Sequence, residues 1–249
     1  MELQKLVRYM LDMGEILIRS GAEAIRVEDT LERIGKAYGC ARVDVFTITT
    51  NIWITVHTLD QSVSQTRRIR GYVIDMEKVE KVNALSRAIC SNPLPLEEVH
   101  DRIMQINQTS RYSEKTLLFA YLLVASSFTV FSGGTFMDGF ASLIAALILR
   151  IVQRMGQRIR VNIILLNTLC AAVVGLVVML MVSIGIGSQI DKIVIGNVML
   201  LIPGLQLTGS LRDLINGDII TGLLGIVESI LKAVAIALGF AILLLQIGG

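Results

Sequence analysis

The chain has 249 residues, 53% of them hydrophobic, and a formal net charge of +2 at pH 7. The near-balanced charge and the lack of a basic patch argue against a nucleic-acid-binding protein. The cysteines, Cys40, Cys90 and Cys170, lack the spacing of a metal site or a disulfide framework. The first residues open an amphipathic pattern, so we expect no signal peptide and a cytoplasmic N-terminal part.

Charge is distributed unevenly along the chain. Residues 1–111 hold fifteen Lys/Arg and fifteen Asp/Glu, whereas residues 112–249 hold eight and six over a longer stretch. This contrast predicts a water-soluble domain over 1–111 and a membrane domain over 112–249.

The first domain alternates between helical and strand patterns. Hydrophobic residues at helical spacing predict a helix over 3–19. Ser20–Glu23 has the Ser-x-x-Glu form of a capping box, and Gly39 suits the end of the helix that would follow. Helices are also predicted over 75–90 and after Pro95. Runs rich in β-branched residues predict a three-stranded meander over 43–49, 52–58 and 62–70. The domain is therefore predicted to be of the α+β class.

No catalytic constellation is present in the sequence of this domain. His57 and His100 lie outside any zinc motif, and neither a phosphate-binding glycine loop nor a Gly-x-Ser-x-Gly motif occurs. Glu23, Glu28 and Asp29 cluster at a predicted helix start, where carboxylates favour the helix dipole. We therefore expect no catalytic residues, no metal and no cofactor.

The second domain is dominated by long apolar stretches. A hydrocarbon core about 30 Å thick needs about 20 helical residues. Five stretches meet this requirement and predict an all-α bundle, with spans over about 116–132, 135–152, 161–185, 192–211 and 219–246.

Basic residues predict the orientation of these spans. Lys115 and Arg212 fall on the same side of the membrane when the spans are counted. The remaining basic residues on that side are Arg111, Arg150, Arg154, Arg158 and Arg160. We therefore expect a multi-pass protein of the cell membrane with its N-terminus in the cytoplasm and its C-terminus outside.

The predicted fourth span is interrupted by Pro203-Gly204, close to the bilayer midplane. A broken helix there exposes backbone dipoles that transporters use to hold substrates and ions. Gln206 and Thr208 follow and are included in this candidate path. The alternative is a packing kink, because proline removes a backbone donor and glycine loosens a helix.

Further polar groups lie in other predicted spans. Glu228 and Lys232 are four residues apart on one helical face of the fifth span. They indicate a substrate or proton site, or a structural pair that faces another helix. Asp138, near the outer mouth of the second span, is a further candidate for the path.

Between the fourth and fifth spans, Asn216-Gly217 indicates a tight turn. Arg212, Asp213 and Asp218 flank it. The segment is predicted to be a cytoplasmic loop or gate that could contact the soluble domain.

The order and spacing of several short motifs resemble the bacterial threonine/serine exporter family over nearly the whole chain. The motifs are Ser20–Glu23, Thr47–Asn51, Met137–Gly139 and the run from Ile202-Pro203-Gly204 through Asn216-Gly217-Asp218. The resemblance implies export of threonine, serine or small dicarboxylates. It also implies that this chain resembles an N-terminal half whose remaining spans come from a second small multi-span membrane protein. The positions that match family motifs are Asp138, Pro203, Gly204, Asp213, Asn216, Gly217 and Asp218.

These observations predict a subunit of a secondary exporter, embedded in membrane lipid and assembled as a homo- or hetero-oligomer. No nucleotide-binding motif is present, so an ion or proton gradient would drive transport. The soluble domain would be a vestibule, a gate or an assembly platform. Alternatives are a membrane-anchored hydrolase and a membrane scaffold or sensor.

Overall fold

The computed structural model describes residues 3–71, 73–108, 112–159 and 161–247; Arg111 and Arg160, two of the predicted flanking cations, lie outside them. These described residues form ten α-helices and one three-stranded sheet. They divide into two compact units. The first comprises Met1–Arg111 and Leu205–Ile226, and the second comprises Tyr112–Gly204 and Val227–Gly249.

The first unit begins with an α+β arrangement. Its elements in chain order are α1 (Leu3–Arg19), α2 (Ala24–Ala37), β1 (Arg42–Ile48), β2 (Asn51–His57), β3 (Ser62–Arg68), α3 (Met76–Ser91) and α4 (Leu96–Gln108). The strands pair antiparallel in the order β1-β2-β3, so the predicted meander is confirmed.

The core of this unit lies between α1 and one face of the sheet. Apolar residues of α1 at helical spacing, including Leu6, Met10 and Leu17, are almost completely buried. Alternate residues of β2 point into the same core, namely Ile52, Ile54 and Val56. A side chain at Gly14 would approach Ile52 to 2.9 Å, so glycine permits the close contact of α1 with β2.

The predicted capping box at Ser20–Glu23 is wrong. The N-cap of α2 is Glu23, and its side chain makes no capping hydrogen bond. Ser20 instead ends α1, with its N–H 3.0 Å from the Ile16 carbonyl, and its own carbonyl accepts from the Asp75 N–H at 3.0 Å. Gly21 has φ of 95°, so a left-handed turn separates Ser20 from the start of α2.

The second part of the chain is helical. Its elements are α5 (Glu114–Phe131), α6 (Phe136–Arg158), α7 (Ile163–Ser183), α8 (Ile190–Val198), α9 (Gly204–Ile215) and α10 (Ile219–Ile247). Among the described residues, four helical segments are long and apolar enough to cross a membrane: Glu114–Phe131, Phe136–Arg158, Ile163–Ser183 and Ile219–Ala241. The predicted fourth span, 192–211, is not one continuous helix, because it divides between α8 and α9.

The break between α8 and α9 has a local cause. The N–H groups of Leu200 and Leu201 bond three residues back, at 3.1 and 2.8 Å, so α8 tightens as it ends. Pro203 then provides no N–H and cannot continue the ladder. The helical pattern resumes at Gly204, in agreement with the predicted interruption.

Small residues allow close packing within the second unit. A side chain at Gly196 of α8 would collide with Thr129 and with the Ala125 carbonyl of α5. A side chain at Gly239 of α10 would lie 2.7 Å from the Ala171 Cβ of α7. Such small-residue contacts are typical of helices that associate within membranes.

Candidate functional site

Asp138 is completely buried at the start of α6 and has a full set of partners. Its Oδ2 accepts from the N–H and the hydroxyl of Thr135, at 2.8 and 2.7 Å. Its Oδ1 accepts from the N–H groups of Ser188 and Gln189, at 2.6 and 3.0 Å. The carboxylate therefore ties the loop before α8 to the N-terminus of α6, where the helix dipole favours a negative charge.

Glu228 and Lys232 form an ion pair on α10, with 2.7 Å between Oε1 and Nζ. The lysine side chain is only 12% exposed, whereas that of the glutamate is 49% exposed. Asp138 and this pair thus have different partners within the second unit.

A buried polar residue lies one turn before the break that precedes Pro203. The Asn197 amide donates to the Ser142 hydroxyl and to the Ile193 carbonyl, each at 2.9 Å. Its Oδ1 has no hydrogen-bond partner in the part of the chain that the structure describes. An unpaired buried acceptor is costly, so this oxygen is a candidate contact for a polar ligand.

Within the first unit, the end of α9 and the start of α10 contact two elements of the N-terminal domain. The Ala24 N–H, at the start of α2, donates to the Asp213 carboxylate. Arg212 pairs with Glu23. The Thr221 hydroxyl lies 3.5 Å from the Thr47 carbonyl of β1. Three segments that are distant in sequence therefore meet here.

We call the group formed by Glu28, Thr47, Asp213, Asp218 and Thr221 the polar cluster. The Thr47 N–H donates to Glu28 Oε1 at 2.7 Å, and the Asp218 N–H donates to the Asp213 carbonyl at 2.9 Å. Thr47 is completely buried and Asp213 is 7% exposed. Thr47 Oγ1 and Asp213 Oδ1 both lack a hydrogen-bond partner among the described residues.

Burial dominates the electrostatics of the polar cluster. It raises the pKa of Asp213, and the negative charges of Asp218 and Glu23 raise that pKa further. The Ala24 N–H and Arg212 act in the opposite direction and lower it, and the resulting pKa of Asp213 is about 6. Burial also raises the pKa of Glu28, opposed by the Thr47 N–H and reinforced by Asp218 and Glu32.

A groove of about 560 Å³ in the first unit is lined by α2, α3, α9 and the turn before α2. The charged lining consists of Arg26, Arg33, Arg87, Arg212, Glu23 and Asp29. Four cations against two anions leave two positive charges in excess. Arg26 pairs with Glu23 at 3.3 Å and Arg33 with Asp29 at 2.9 Å.

The predicted site residues are thus divided between the two units. Arg212, Asp213 and Asp218 join the polar cluster or its edge, and Asn216 and Gly217 form the exposed turn, where Gly217 has φ of 94°. Thr208 lines the groove, and the Gln206 carbonyl accepts from the Ser210 hydroxyl at 2.8 Å. Among the described residues no group of three His, Cys, Asp or Glu is arranged to hold a metal ion.

Sequence reasoning did not single out Glu28, Thr47 and Thr221 as members of one site. Thr47 belongs to the Thr47–Asn51 motif, and Glu28 was interpreted only as a helix-start carboxylate. Their meeting depends on long-range packing, which the local pattern does not contain.

The chain is similar to known transport proteins over most of its length. The family model described as "Putative threonine/serine exporter" matches residues 8–247. The chain is 25% identical to the "Probable succinate transporter subunit YjjP" of Klebsiella aerogenes, covering 89% of this chain and 86% of that protein. The Escherichia coli protein of the same name is 26% identical, with 87% and 84% coverage.

A "Probable threonine/serine exporter" of Mycobacterium tuberculosis is 22% identical over 96% of this chain, which spans only 46% of that protein. No solved structure matches the chain.

Proposed function

Because the chain belongs to the threonine/serine exporter family, we propose that it is a subunit of a secondary transporter that exports small polar metabolites. Family membership and the four apolar helices make it a membrane transporter subunit. The observation that carries the finer proposal is the end of α8 before Pro203, because α8 packs on α5, α6 and α7 within the second unit. Broken helices of this kind hold substrates and ions in transporters.

The apolar segment 192–211, interrupted at Pro203, would form a fifth crossing, since a hydrocarbon core about 30 Å thick needs about 20 residues. With this crossing, the N-terminus would lie in the cytoplasm and the C-terminus outside. The unpaired Asn197 Oδ1 would contact the substrate.

Glu228 and Lys232 would contribute charge to the same path. A charge in a membrane helix is costly and is commonly functional. The low exposure of Lys232 supports a position directed away from lipid. Asp138 would hold the loop at the outer end in place, since its carboxylate already has four partners in that loop and cap.

The groove of the first unit supports a preference among substrates. Its lining has two positive charges in excess, which favours a dianion over a zwitterion such as threonine. Its size lies within the range of small-molecule sites. We therefore propose that the groove is a cytoplasmic vestibule and that small dicarboxylates are the preferred substrates.

A second membrane protein would complete the transporter. The Klebsiella and Escherichia relatives are named as subunits, and the longer Mycobacterium relative carries additional sequence in one chain. We propose that a small multi-span partner supplies the corresponding helices and that membrane lipid surrounds the complex.

The test is Pro203→Ala, which restores the missing donor and favours a continuous helix. We expect efflux from vesicles to fall at least about tenfold while the amount of protein in the membrane is unchanged. Pro93→Ala, in the loop between α3 and α4, is the matched control and should transport normally. Normal efflux by Pro203→Ala would remove the helix break from the mechanism.

A further inference from the structure

We propose that Asp213, with Asp218 and Glu28, forms a proton-binding site where the end of α9 and the turn that follows it dock on α2 and β1. The inference concerns the first unit alone. Only its consequence for export rests on the proposed function.

The Asp213 carboxyl is buried and only partly hydrogen-bonded. Only 7% of the residue is exposed, and Oδ1 has no hydrogen-bond partner among the described residues. An ionised carboxylate in such a place loses hydration that the Ala24 N–H replaces only in part. A bound proton removes the charge and converts one oxygen into a hydroxyl donor.

Negative charges surround the Asp213 carboxyl. Asp218 faces Asp213 from the turn that follows α9, and Glu23 faces it from the start of α2. The cation on this side, Arg212, is engaged by Glu23 and has a side chain that is 59% exposed. Like charges close to a buried carboxyl favour its protonated form.

Thr47 provides an independent unpaired group in the polar cluster. Its hydroxyl is buried without a partner among the described residues, although its N–H bonds to Glu28 and its carbonyl to Thr221. A hydroxyl can both donate and accept a hydrogen bond, so the buried Thr47 hydroxyl can bind a further polar hydrogen at the cluster or donate its own. Glu28 faces Asp218 and Glu32, so the second carboxyl of the cluster is also surrounded by negative charge.

The proton then stabilises the docked turn. When the turn is undocked and in water, Asp213 has the ordinary pKa of an aspartate, about 4. The docked state raises that pKa to about 6. Docking is therefore strongest at a pH below the pKa of undocked Asp213. It weakens as the pH rises through the higher pKa of docked Asp213. Acidification of the cytoplasm would hold the turn, and with it the connection between α9 and α10, against the N-terminal domain.

The experiment is infrared difference spectroscopy of the full chain in lipid nanodiscs, between about pH 7.5 and about pH 5, a window that brackets the raised pKa. We expect a carboxylic-acid C=O band on acidification that disappears in Asp213→Asn and persists in Asp213→Glu. Two further variants preserve the carboxyl itself. Asp218→Asn should lower the titration midpoint, because it removes a like charge, and Arg212→Gln should raise it.

Several outcomes would overturn the proposal. One is a carboxylic-acid band that is unchanged in Asp213→Asn. Another is a titration midpoint that is the same as in the wild type in both Asp218→Asn and Arg212→Gln. The third is a spectrum that changes with sodium concentration at constant pH and does not change with pH. Efflux measured beside the spectra separates the two claims. A band that depends on Asp213 in a protein that transports nothing would contradict the proposed function and leave the proton site intact. In a transporting protein, Asp213→Asn should flatten the dependence of efflux on cytoplasmic pH.

Discussion

The Asp213 carboxylate accepts a hydrogen bond from the backbone N–H of Ala24, the first residue of α2. This bond connects the last turn of α9 with the start of an N-terminal helix. The helix N-terminus favours the negative charge, whereas burial and the neighbouring carboxylates oppose it. The contact is therefore balanced between two opposing electrostatic effects, and a small change in charge should alter it.

Asp138→Asn tests whether this carboxylate is a structural anchor. The substitution removes the charge and replaces one of the two carboxylate oxygens by an NH₂ group. The N–H groups of Thr135 and Ser188, which donate to different oxygens of Asp138, then have only one acceptor oxygen. We expect a loss of about 2–4 kcal/mol in the free energy of unfolding, measured by denaturant titration in detergent. Asp191→Asn is the control, because Asp191 is exposed and pairs only at the surface with Lys192. A stable Asp138→Asn protein that fails to transport would instead place Asp138 in the substrate path.

Glu228→Gln and Lys232→Gln test the ion pair on α10. Each single variant removes the ion pair and leaves the other charge in α10, so we expect both to lose efflux. The double neutral variant distinguishes the two roles. If the pair is part of the path, the double variant remains inactive although it unfolds like the wild type. Restored efflux in the double variant would show that the pair is structural.

Gly222→Ala tests the packing of α10 on α9. A Cβ at Gly222 would lie 2.8 Å from the Ser210 carbonyl and 2.9 Å from the Leu214 nitrogen, both backbone atoms that cannot rotate away. We expect a destabilisation of about 1–3 kcal/mol by thermal or chemical unfolding. Gly209→Ala is the matched control within α9, since a Cβ there meets no atom within 4 Å. It should be neutral or slightly stabilising, and equal effects of the two variants would contradict this packing.

Arg87→Ala tests the vestibule. Arg87 lines the groove from α3, where the cations exceed the anions. We expect KM for succinate efflux to rise about tenfold with kcat little changed, because a charge-assisted hydrogen bond contributes about 1.5–3 kcal/mol. Threonine efflux, where it is measurable, should be less affected. Arg102→Ala, on α4 and paired with Glu98, is the control outside the groove.

Local sequence patterns predicted the elements of the fold but not every boundary. Helical spacing predicted α1, and β-branched runs predicted the three strands, because these patterns reflect burial on one face. The capping box at Ser20 failed since Gly21 turns the chain before α2 begins. The apolar stretch over 192–211 divides between α8 and α9 at Pro203, where the sequence predicted an interruption.

The candidate site was only partly predictable. Pro203 and the turn around Asn216-Gly217 follow from the conformational limits of proline and glycine, which are local properties. The contact of Asp213 with α2 and that of Thr221 with β1 arise from tertiary packing between segments far apart in the chain. The unpaired oxygens of Thr47 and Asn197 became visible only when their neighbours were placed around them.

The most direct test of the account is efflux of labelled succinate, serine and threonine from preloaded vesicles. The chain would be reconstituted alone and together with a candidate for the small multi-span partner proposed above. We predict succinate efflux that requires both proteins and exceeds efflux of the two amino acids. Absence of efflux of all three substrates, with both proteins verified in the membrane, would contradict the assignment as an exporter subunit.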